Sequence, residues 1–429
     1  MRDIALSLLI FGVLPFILKR PWLGVLLSLW VSVMNPHRYA FGFANDLPFA
    51  AIIFVVTVVA MVRSREQVSF KLNTTVLLLI LFPFWMSVSS VFALESIGIF
   101  DRWKYVMKVF LLVLIGTSVL NSRKHVEWMV ATIVISVGFY GVKGGIFTIL
   151  TGGGSRVYGP PGAGFMSDNN AISVALVMTI PLMYFLWTIA TSIWLKWGLL
   201  ASMGLSAMAI LGSQSRGAFL AVLSMGLFLW VKSQKKLLSG VVILVLLPLA
   251  VGFMPDTWTS RMKTIETYEQ DSSAMGRINA WTMAFNLAND RPLVGGGFEI
   301  YNTRIFAKYA PDPNDVHAAH SIYFQILGEH GYVGLALFLA IGFVGWNSGS
   351  KVIKLSGKNP DYAWAANLAR ATQVSLLGYA VGGAFVNIGY WEIQYFEIVG
   401  LMVVLELLRQ TKLPAHRTEQ FNQPKSLLT

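Results

Sequence analysis

The segment NAISVALVMTIPLMYFLWTIA, residues 170–190, contains no charged residue. A helix needs about 20 consecutive apolar residues to cross the hydrocarbon core of a bilayer, since each residue adds about 1.5 Å to its length. In lipid the backbone must also satisfy its own hydrogen bonds, which a helix does within one segment. The stretch therefore predicts a membrane-spanning helix.

Comparable apolar segments recur along the chain. Hydrophobic residues make up 55% of the 429 positions and charged residues only 13%, whereas a soluble domain carries about 25% charged residues. The remaining segments fall at 4–18, 22–34, 47–62, 74–93, 105–120, 126–150, 193–211, 217–231, 238–254, 321–346, 364–388 and 394–409. Because the first two are the weakest and one of them could be a half-span, we expect an all-α polytopic membrane protein with about 12 transmembrane helices.

Basic residues orient these segments. Clusters of Lys and Arg fall on alternate connections and should mark the cytoplasmic side. They are Lys19/Arg20, Arg63/Arg65/Lys71, Arg123/Lys124, Lys196, Lys232/Lys235/Lys236, Lys351/Lys354/Lys358 and the tail from Arg409 to Lys425. The two long connections, 151–169 and 255–320, then face the other side. The start of the chain has no cleavage signal after its apolar stretch, so we expect a retained first span, with the side of the N-terminus left open.

This pattern divides the chain into four parts. Residues 1–254 form an N-terminal transmembrane bundle, 255–320 an outer loop domain, 321–410 the C-terminal transmembrane helices and 411–429 a cytoplasmic tail. Within the loop, SSAMGRINAWTMAFNLAND (272–290) predicts an amphipathic helix on the outer surface, with Ile278, Trp281, Met283 and Phe285 as its apolar residues. The GGG triplets at 152–154 and 295–297 are weak candidates for a phosphate cradle, since neither follows a strand.

Some arginines lie on the side that the basic clusters avoid, and three of them are the most informative. Arg156, Arg216 and Arg277 are predicted at or near the outer membrane edge, where a charge costs free energy. A guanidinium group grips phosphate oxygens in pairs, so anion binding is one interpretation; an arginine that reaches lipid headgroups is the other. Lys108, Lys143 and Arg370 fall inside or beside apolar runs, where pairing with an internal carboxylate is an alternative to a functional role.

The histidines of HAAHSIYFQILGEHG (317–331) separate by position. His317 and His320 could share a helix face, but no Asp or Glu lies on that turn, and Glu329 falls about 180° away, which disfavours a metal site. His320 ends the outer loop, where a neutral imidazole could act as a general base or could cap the next helix. His330 is expected to be structural.

Two kinds of function are excluded or disfavoured by composition. The absence of cysteine excludes thiol and disulfide chemistry. Nucleic-acid binding is disfavoured, because no basic segment is interleaved with aromatic residues.

Several motifs together resemble a known family. SQSRGAFLAVL (213–223), GRINAWTMAFNLANDRPLVGGGFEIY (276–301) and HAAHSIYFQILGEHGYVGLALF (317–338) resemble, in that order, the O-antigen ligase and polymerase superfamily of bacterial inner membranes. SRVYGPPGAGFMSDNNAIS (155–173) is similar to another periplasmic segment of that family. The N-terminal stretch LKRPWLGVLLSLWVSVMNPHRYAFGFANDLPFA (18–50) resembles the exosortase-associated O-glycosylation ligase subgroup.

The resemblance implies a fold and a chemistry. It implies a helical periplasmic cap domain over a lateral cavity that is open to lipid. It also places His320 at the position of the family's essential histidine, and Arg216 and Arg277 at the positions of its essential periplasmic arginines. Arg156 matches the family less closely. The donor would be a glycan on undecaprenyl diphosphate and the acceptor a lipid A–core hydroxyl, joined with inversion and without metal or other cofactor. Residues expected near the glycan or acceptor are His317, Tyr301, Tyr323, Trp281, Asp168 and Asn169.

The same motifs are compatible with other activities. An O-antigen polymerase or a protein O-oligosaccharyltransferase would use the same lipid-linked donor. A transporter of a lipid-linked anion would instead need charges along a midplane pathway, whereas the three arginines gather on the outer side. The prediction that transfer needs no metal is based on the loop 255–320, which has scattered acidic residues but no DxD motif.

Overall fold

A computed structural model of the chain describes residues 1–64, 68–160, 162, 164–232, 236–263, 269 and 271–412. These residues form α-helices, short 3-10 helices and connections, with no strand in the described ranges. The predicted cytoplasmic basic residues Arg65 and Lys235, and the tail beyond Lys412, lie outside the described residues.

Thirteen helices coincide with the thirteen apolar segments. They are α1 Arg2–Lys19, α2 Pro21–Met34, α3 Phe49–Arg63, α4 Thr74–Val91, α5 Ile99–Val119, α6 Arg123–Leu150, α7 Asn169–Ile189, α8 Ile193–Gly212, α9 Arg216–Lys232, α10 Lys236–Gly252, α14 Ile322–Ser356, α15 Ala363–Gly382 and α16 Glu392–Lys412. The region 255–320 adds α11 Asp256–Lys263, α12 Ser272–Asp290 and α13 Thr303–Tyr309. The prediction of an all-helical chain is confirmed for the described residues.

Within the part of the chain that the structure describes, five helices are long and apolar enough to cross a membrane. By length and composition, α4, α6, α7, α8 and α14 qualify, while α2 and α3 are shorter apolar helices. The multi-pass character follows from these five helices. The number of about 12 crossings and the periplasmic position of the 255–320 region remain predictions.

One apolar core joins the early and late helices. Its buried members come from α2 and from α4 to α9, and also from α14, α15 and α16, with α7 at the centre. Small residues allow close approach: a Cβ at Gly145 of α6 would lie 2.1 Å from the carbonyl oxygen of Leu205 in α8. Close approach of helix backbones through small residues is the usual way in which membrane helices associate. The N-terminal and C-terminal transmembrane parts therefore pack as one body.

Helix α14 departs from the single regular span predicted for 321–346. It extends to Ser356 and is interrupted at Gly331, whose φ of 68° and ψ of −170° are not helical. Such a conformation suits glycine because any side chain would be strained there. The interruption leaves carbonyl groups without helical partners, and these accept hydrogen bonds from another segment.

The glycine triplet 295–297 supplies those hydrogen bonds. The N–H of Gly296 donates to the Gly328 carbonyl at 2.9 Å, and the N–H of Gly297 donates to the Glu329 carbonyl at 2.8 Å. A Cβ at Gly295 would lie 2.5 Å from the Gly328 oxygen, so only glycine permits this approach. The triplet docks the loop onto α14 through its backbone, and the phosphate-cradle interpretation of 295–297 is wrong.

The helix predicted at 272–290 forms over those residues as α12, beginning after Asp271, whose side chain accepts from the N–H of Ala274. Its buried stripe is Ala280, Met283, Ala284 and Leu287, which packs against α13 and α14. The apolar face assigned from the sequence is wrong: Phe285 is 47% exposed, because two residues turn a helix by about 200° and Phe285 cannot share a face with Met283.

Candidate functional site

The short link between α8 and α9 brings three segments together. The carbonyl of Gly212 accepts from the N–H of Val157 at 3.0 Å, and the carbonyl of Ser213 accepts from the side-chain amide of Asn169 at 2.9 Å. The segment that carries Arg156 and the start of α7 are therefore both fastened to the link. Asn169, which the sequence predicts as a glycan contact, is buried, and its side-chain nitrogen is engaged in this hydrogen bond.

Gln214, within the link, holds two arginines. Its side-chain oxygen accepts from the Nε of Arg156 at 3.3 Å, and its backbone carbonyl accepts from the Nε of Arg261 at 3.1 Å. Its amide nitrogen donates to the Gly153 carbonyl at 3.2 Å, and its φ of 56° is left-handed, which is uncommon for a residue with a side chain. Sequence reasoning missed Gln214 and Arg261. Arg261 could have been found, since it also lies in the outer loop.

Arg216 opens α9 and forms an ion pair across the site. Its two terminal nitrogens contact the two oxygens of Asp271 at 2.7 and 3.3 Å, and the side chains are only 15% and 20% exposed. A bidentate pair of this kind fixes the plane of the guanidinium group. The pairing with Asp271, which also caps α12, disfavours the interpretation of Arg216 as a lipid-headgroup contact.

Arg277 lies on α12, beside this pair. Its Nε is buried and has no hydrogen-bond partner among the described residues. Burial lowers the pKa of Arg277, and the charge of Arg216 lowers it further, while Asp271 and Asp168 act in the opposite direction. The Nε of Arg277 is thus a donor available to a bound group.

Arg156, Arg216, Arg261 and Arg277 form one basic cluster. Burial lowers the pKa of Arg261, and the charges of Arg156 and Arg216 add to that effect. The four guanidinium groups interact with two carboxylates, Asp168 and Asp271, which leaves an excess of two positive charges. Like charges crowded in a half-buried place repel one another, so this arrangement favours binding of an anion.

His320 lies beside the cluster in a strained and fixed position. Its φ is 44°, in the left-handed region. The next residue, Ser321, donates its N–H to the side-chain oxygen of Asn387 at 3.0 Å, and the preceding carbonyl of Ala319 accepts from the indole of Trp281 at 2.6 Å. Backbone strain held by its surroundings is a feature of functional sites.

The imidazole of His320 has no hydrogen-bond partner within the described residues and does not cap α14, whose N-cap is Ser321. Burial lowers its pKa below the ordinary 6.5, the positive charge of Arg277 lowers it further, and Asp168 partly offsets both. The ring is therefore neutral near pH 7 and can accept a proton.

A polar cavity of about 290 Å³ adjoins this histidine. Two of its lining residues connect it to His320: the charge of Asp168 acts on the imidazole, and Asn387 accepts the N–H of Ser321. The other lining residues are Arg102, Tyr105, Gly164 and Phe165. Asp168 also caps α7, accepting from the N–H groups of Asn170 and Ala171 at 2.7 and 3.0 Å. The predicted contact residue Asp168 thus does face an open space next to His320.

Three other predicted contact residues do not line this cavity. Trp281 stacks on Phe324 with ring centroids 5.1 Å apart. Tyr301 packs on the apolar cluster of the 255–320 region with its hydroxyl buried, and Tyr323 donates to the Ala380 carbonyl at 2.8 Å. Their role as glycan or acceptor contacts stays a prediction.

The remaining polar candidates have local partners. His317 contacts Asp315 at 2.7 Å and is half exposed, while His330 is completely buried with its Nδ1 2.6 Å from Ser89 Oγ. Within the described residues, Lys108, Lys143 and Arg370 form no salt bridge with a carboxylate, so the pairing considered for them is wrong. Lys143 instead lies over the Tyr39 ring, and Arg370 donates to Asn367.

Comparison with known families covers most of the chain in two parts. A family model described as O-antigen ligase matches residues 201–339, and a model described as a family of unknown function (DUF5935) matches residues 1–191. The first match contains Arg216, Arg261, Arg277 and His320, and it supports the O-antigen ligase superfamily. No curated protein matches the chain. The match suggests a glycan ligase or polymerase type of function in a multi-pass membrane protein.

Proposed function

We propose that the protein is an O-antigen ligase, a glycosyltransferase that moves a glycan from undecaprenyl diphosphate to a sugar hydroxyl of lipid A–core. The observation that carries the proposal is the neutral, unpartnered imidazole of His320 beside the basic cluster of Arg156, Arg216, Arg261 and Arg277. A base next to a site for a negatively charged leaving group is what transfer from a lipid diphosphate requires.

The reaction is a displacement at the anomeric carbon. His320 takes the proton from the acceptor hydroxyl as its oxygen forms the new bond to that carbon. The bond from the carbon to the diphosphate oxygen breaks, and its electron pair leaves with the diphosphate. Because the acceptor attacks from the face opposite the leaving group, the configuration inverts.

The basic cluster stabilises the leaving group. The diphosphate diester of the donor is a dianion, which matches the excess of two positive charges left after Asp168 and Asp271 are counted, and bond cleavage adds one negative charge to the leaving group. Fixed guanidinium groups in a partly dry site stabilise developing charge without reorganising. Since these cations can serve the role that a divalent metal has in many soluble glycosyltransferases, we predict transfer without metal or other cofactor.

The membrane setting follows from the substrates. The donor and the acceptor are both anchored in lipid, so we place the protein in the bacterial cytoplasmic membrane, with the cluster and the cap formed by 255–320 on the periplasmic side. The basic connections then face the cytoplasm, as the positive-inside bias requires. The match at residues 1–191 covers the stretch that resembles the exosortase-associated subgroup, and we propose that affiliation for the chain.

Two related activities use the same donor. An O-antigen polymerase would pass the glycan to a second lipid-linked glycan, and a protein O-oligosaccharyltransferase would pass it to Ser or Thr. A transporter of a lipid-linked anion is the candidate from another class. The site favours an enzyme, because its cations gather at one end of the helices around an unpartnered base.

The acceptor decides among these activities. Purified protein in lipid nanodiscs is incubated with a lipid-linked glycan and, in separate reactions, with lipid A–core, a Ser/Thr peptide or further lipid-linked glycan. We expect glycosylated lipid A–core, formed equally with and without EDTA. Product on the peptide alone would indicate a protein O-oligosaccharyltransferase, and product on the lipid-linked glycan alone would indicate an O-antigen polymerase. Absence of transfer to all three acceptors, or transfer lost in EDTA and restored by metal, would contradict the mechanism.

A further inference from the structure

The connection between α15 and α16 is fixed to the three C-terminal helices. The Tyr379 hydroxyl of α15 donates to the Ile388 carbonyl at 3.2 Å, and the Tyr395 hydroxyl of α16 donates to the Gly389 carbonyl at 2.6 Å. The N–H of Gly389 donates to the side-chain oxygen of Gln325, in the first half of α14, at 3.4 Å. The backbone of this connection is therefore held by three helices.

Asn387 lies in this connection, and its side-chain amide has one engaged end and one available end. Its Oδ1 accepts from the N–H of Ser321 at 3.0 Å. Because a backbone N–H can only donate, the amide atom that faces it is the oxygen and the other atom is the nitrogen. Asn387 lines the polar cavity, and among the described residues its Nδ2 donates to no partner. The amide thus has two N–H donors available to a group in the cavity.

The engaged end of this amide is connected to the base. Ser321 directly follows His320, whose left-handed φ of 44° persists only where the surroundings hold it. The hydrogen bond from Ser321 to Asn387 holds this backbone on one side, and the hydrogen bond from Trp281 to the carbonyl of Ala319 holds it on the other. The amide therefore positions the imidazole and borders the cavity next to it.

Other polar residues of the cavity are less suited to act with the base. Arg102 and Tyr105 carry donors, but in the described part of the chain no hydrogen bond or ion pair joins either of them to His320 or its neighbours. Asp168 does interact with His320, but an ionised carboxylate accepts hydrogen bonds and cannot donate. Asn387 is the donor in the cavity that is tied to the base.

An attacking hydroxyl needs a base and a donor together. Its oxygen carries one proton and two lone pairs. The imidazole takes the proton, and one lone pair forms the bond to the anomeric carbon, so the second lone pair is left for a donor. A donor in a fixed place determines which lone pair faces the carbon, and orientation of this kind lowers the barrier. A neutral amide does this without the positive charge that would make the oxygen a weaker nucleophile.

We propose that Asn387 is a catalytic residue of the transfer reaction and acts together with His320. Its Oδ1 positions the base through Ser321, and its Nδ2 donates to the oxygen of the acceptor hydroxyl. The proton passes from that oxygen to His320, the oxygen bonds to the anomeric carbon, and the diphosphate leaves with its electron pair, while Asn387 keeps both of its protons. This inference rests on the proposed function, and it holds for a hydroxyl of lipid A–core, of a lipid-linked glycan or of a peptide.

Two substitutions separate the two roles of the amide. Asn387→Asp keeps an oxygen that can accept from Ser321 and removes the N–H donors, whereas Asn387→Ala removes both. We expect kcat to fall about tenfold in Asn387→Asp, the factor of one neutral hydrogen bond, and about 100-fold in Asn387→Ala, while the KM for the donor stays within about twofold of wild type. Asn302→Asp is the matched control, because the Oδ1 of Asn302 also accepts a backbone N–H, from Ile305 at 3.0 Å, outside the cavity.

A titration of His320 tests the placement of the amide without transfer. Diethyl pyrocarbonate modifies neutral imidazole, so the rate at which it modifies His320 at each pH, measured by mass spectrometry of the peptide, gives the pKa of the ring. Asn387→Asp places a negative charge beside the ring and favours its protonated form, so the midpoint should rise relative to wild type and to Asn302→Asp. The acid limb of kcat/KM should move to higher pH by the same amount. A residue with a remote structural role would move neither.

Three results would overturn the inference. Wild-type kcat in Asn387→Asp would remove the donor role. An unchanged midpoint for His320 in Asn387→Asp would place the amide away from the base. A Tm that falls in parallel with activity in both variants would reduce Asn387 to a structural residue. A wild-type protein that transfers to no acceptor, while the midpoint still shifts in Asn387→Asp, would instead contradict the proposed function and support the placement of Asn387.

Discussion

The two histidines near the start of α14 occupy opposite kinds of environment. His330 is completely buried, its Nδ1 contacts Ser89 and its ring packs against Phe298 and Tyr390. His320 has a left-handed backbone, no hydrogen-bond partner among the described residues, and an adjoining polar cavity. The residue that packs well stabilises the fold, and the residue left without partners is the one available for chemistry.

Replacement of His320 should give the largest effect on activity. Removal of a general base costs about 10²- to 10⁴-fold in rate, so we expect His320→Gln to lower kcat by this factor with unchanged thermal stability. The measurement is glycan transfer at saturating donor and acceptor, with nanodisc yield and Tm as checks on folding. His317→Gln should stay within a few-fold of wild type, and a fully active His320→Gln would end the assignment of His320.

Replacement of His330 should reverse the pattern. His330→Ala leaves a cavity next to Phe298 and removes the partner of Ser89, for which we expect a loss of stability of about 2–4 kcal/mol. Thermal or denaturant unfolding in detergent measures it. Folded enzyme should retain kcat within a few-fold at low temperature. A stable but inactive variant would show that the two histidines do not divide as described.

Gln214 tests whether the basic cluster depends on its framework. Gln214→Ala removes the acceptor for Arg156 and the donor to Gly153 and keeps the backbone carbonyl that holds Arg261. We expect transfer to fall about tenfold, because a displaced charge stabilises the leaving group less. Gln410→Ala, at an exposed position of α16, is the control for loss of an amide. Unchanged transfer would show that Arg156 needs no such support.

The smallest expected effect is a shift in pH dependence. A base must be neutral, so kcat/KM should fall only as the pH drops through the pKa of His320, which lies below 6.5. Arg277→Gln removes a charge that lowers this pKa, so the acid limb should move to higher pH; Asp168→Asn removes an opposing charge and should move it lower. Profiles of kcat/KM from pH 5 to 9 measure both shifts, and identical limbs in all three proteins would exclude His320 as the titrating group.

Much of the helical pattern was predictable, because hydrophobicity along the chain reports each helix directly. All thirteen apolar segments are helical, and α12 has the bounds expected from its sequence. The face of α12 was not predictable with the same accuracy, since Met283 and Phe285 are both apolar and only contact with α13 and α14 selects between them. The interruption of α14 at Gly331 was also missed, because glycine within an apolar run is common in membrane helices.

Some residues of the site were predictable from the sequence and others were not. Arg156, Arg216 and Arg277 were predicted because their positions violate the positive-inside bias. His320 was predicted because it lies at the end of the outer loop. Gln214 was missed because it is uncharged, and its hydrogen bonds to Arg156 and Arg261 arise only in the folded chain. Arg261 was missed although it lies in the same outer loop as Arg277. Arg102 was not predicted, because a basic residue near the end of a membrane helix is common and only the structure shows the cavity that it lines.

The sequence by itself determined the helical membrane class, the order of the helices and the residues that carry unusual charges, because these depend on local hydrophobicity and on single side chains. Only the tertiary structure decided which of those residues meet. Residues 102, 168, 216, 277, 320 and 387 lie on six different parts of the chain and approach one another through packing. Their pairing, burial and strain, and hence the separation of His320 from His330, follow from contacts between distant segments that no local pattern encodes.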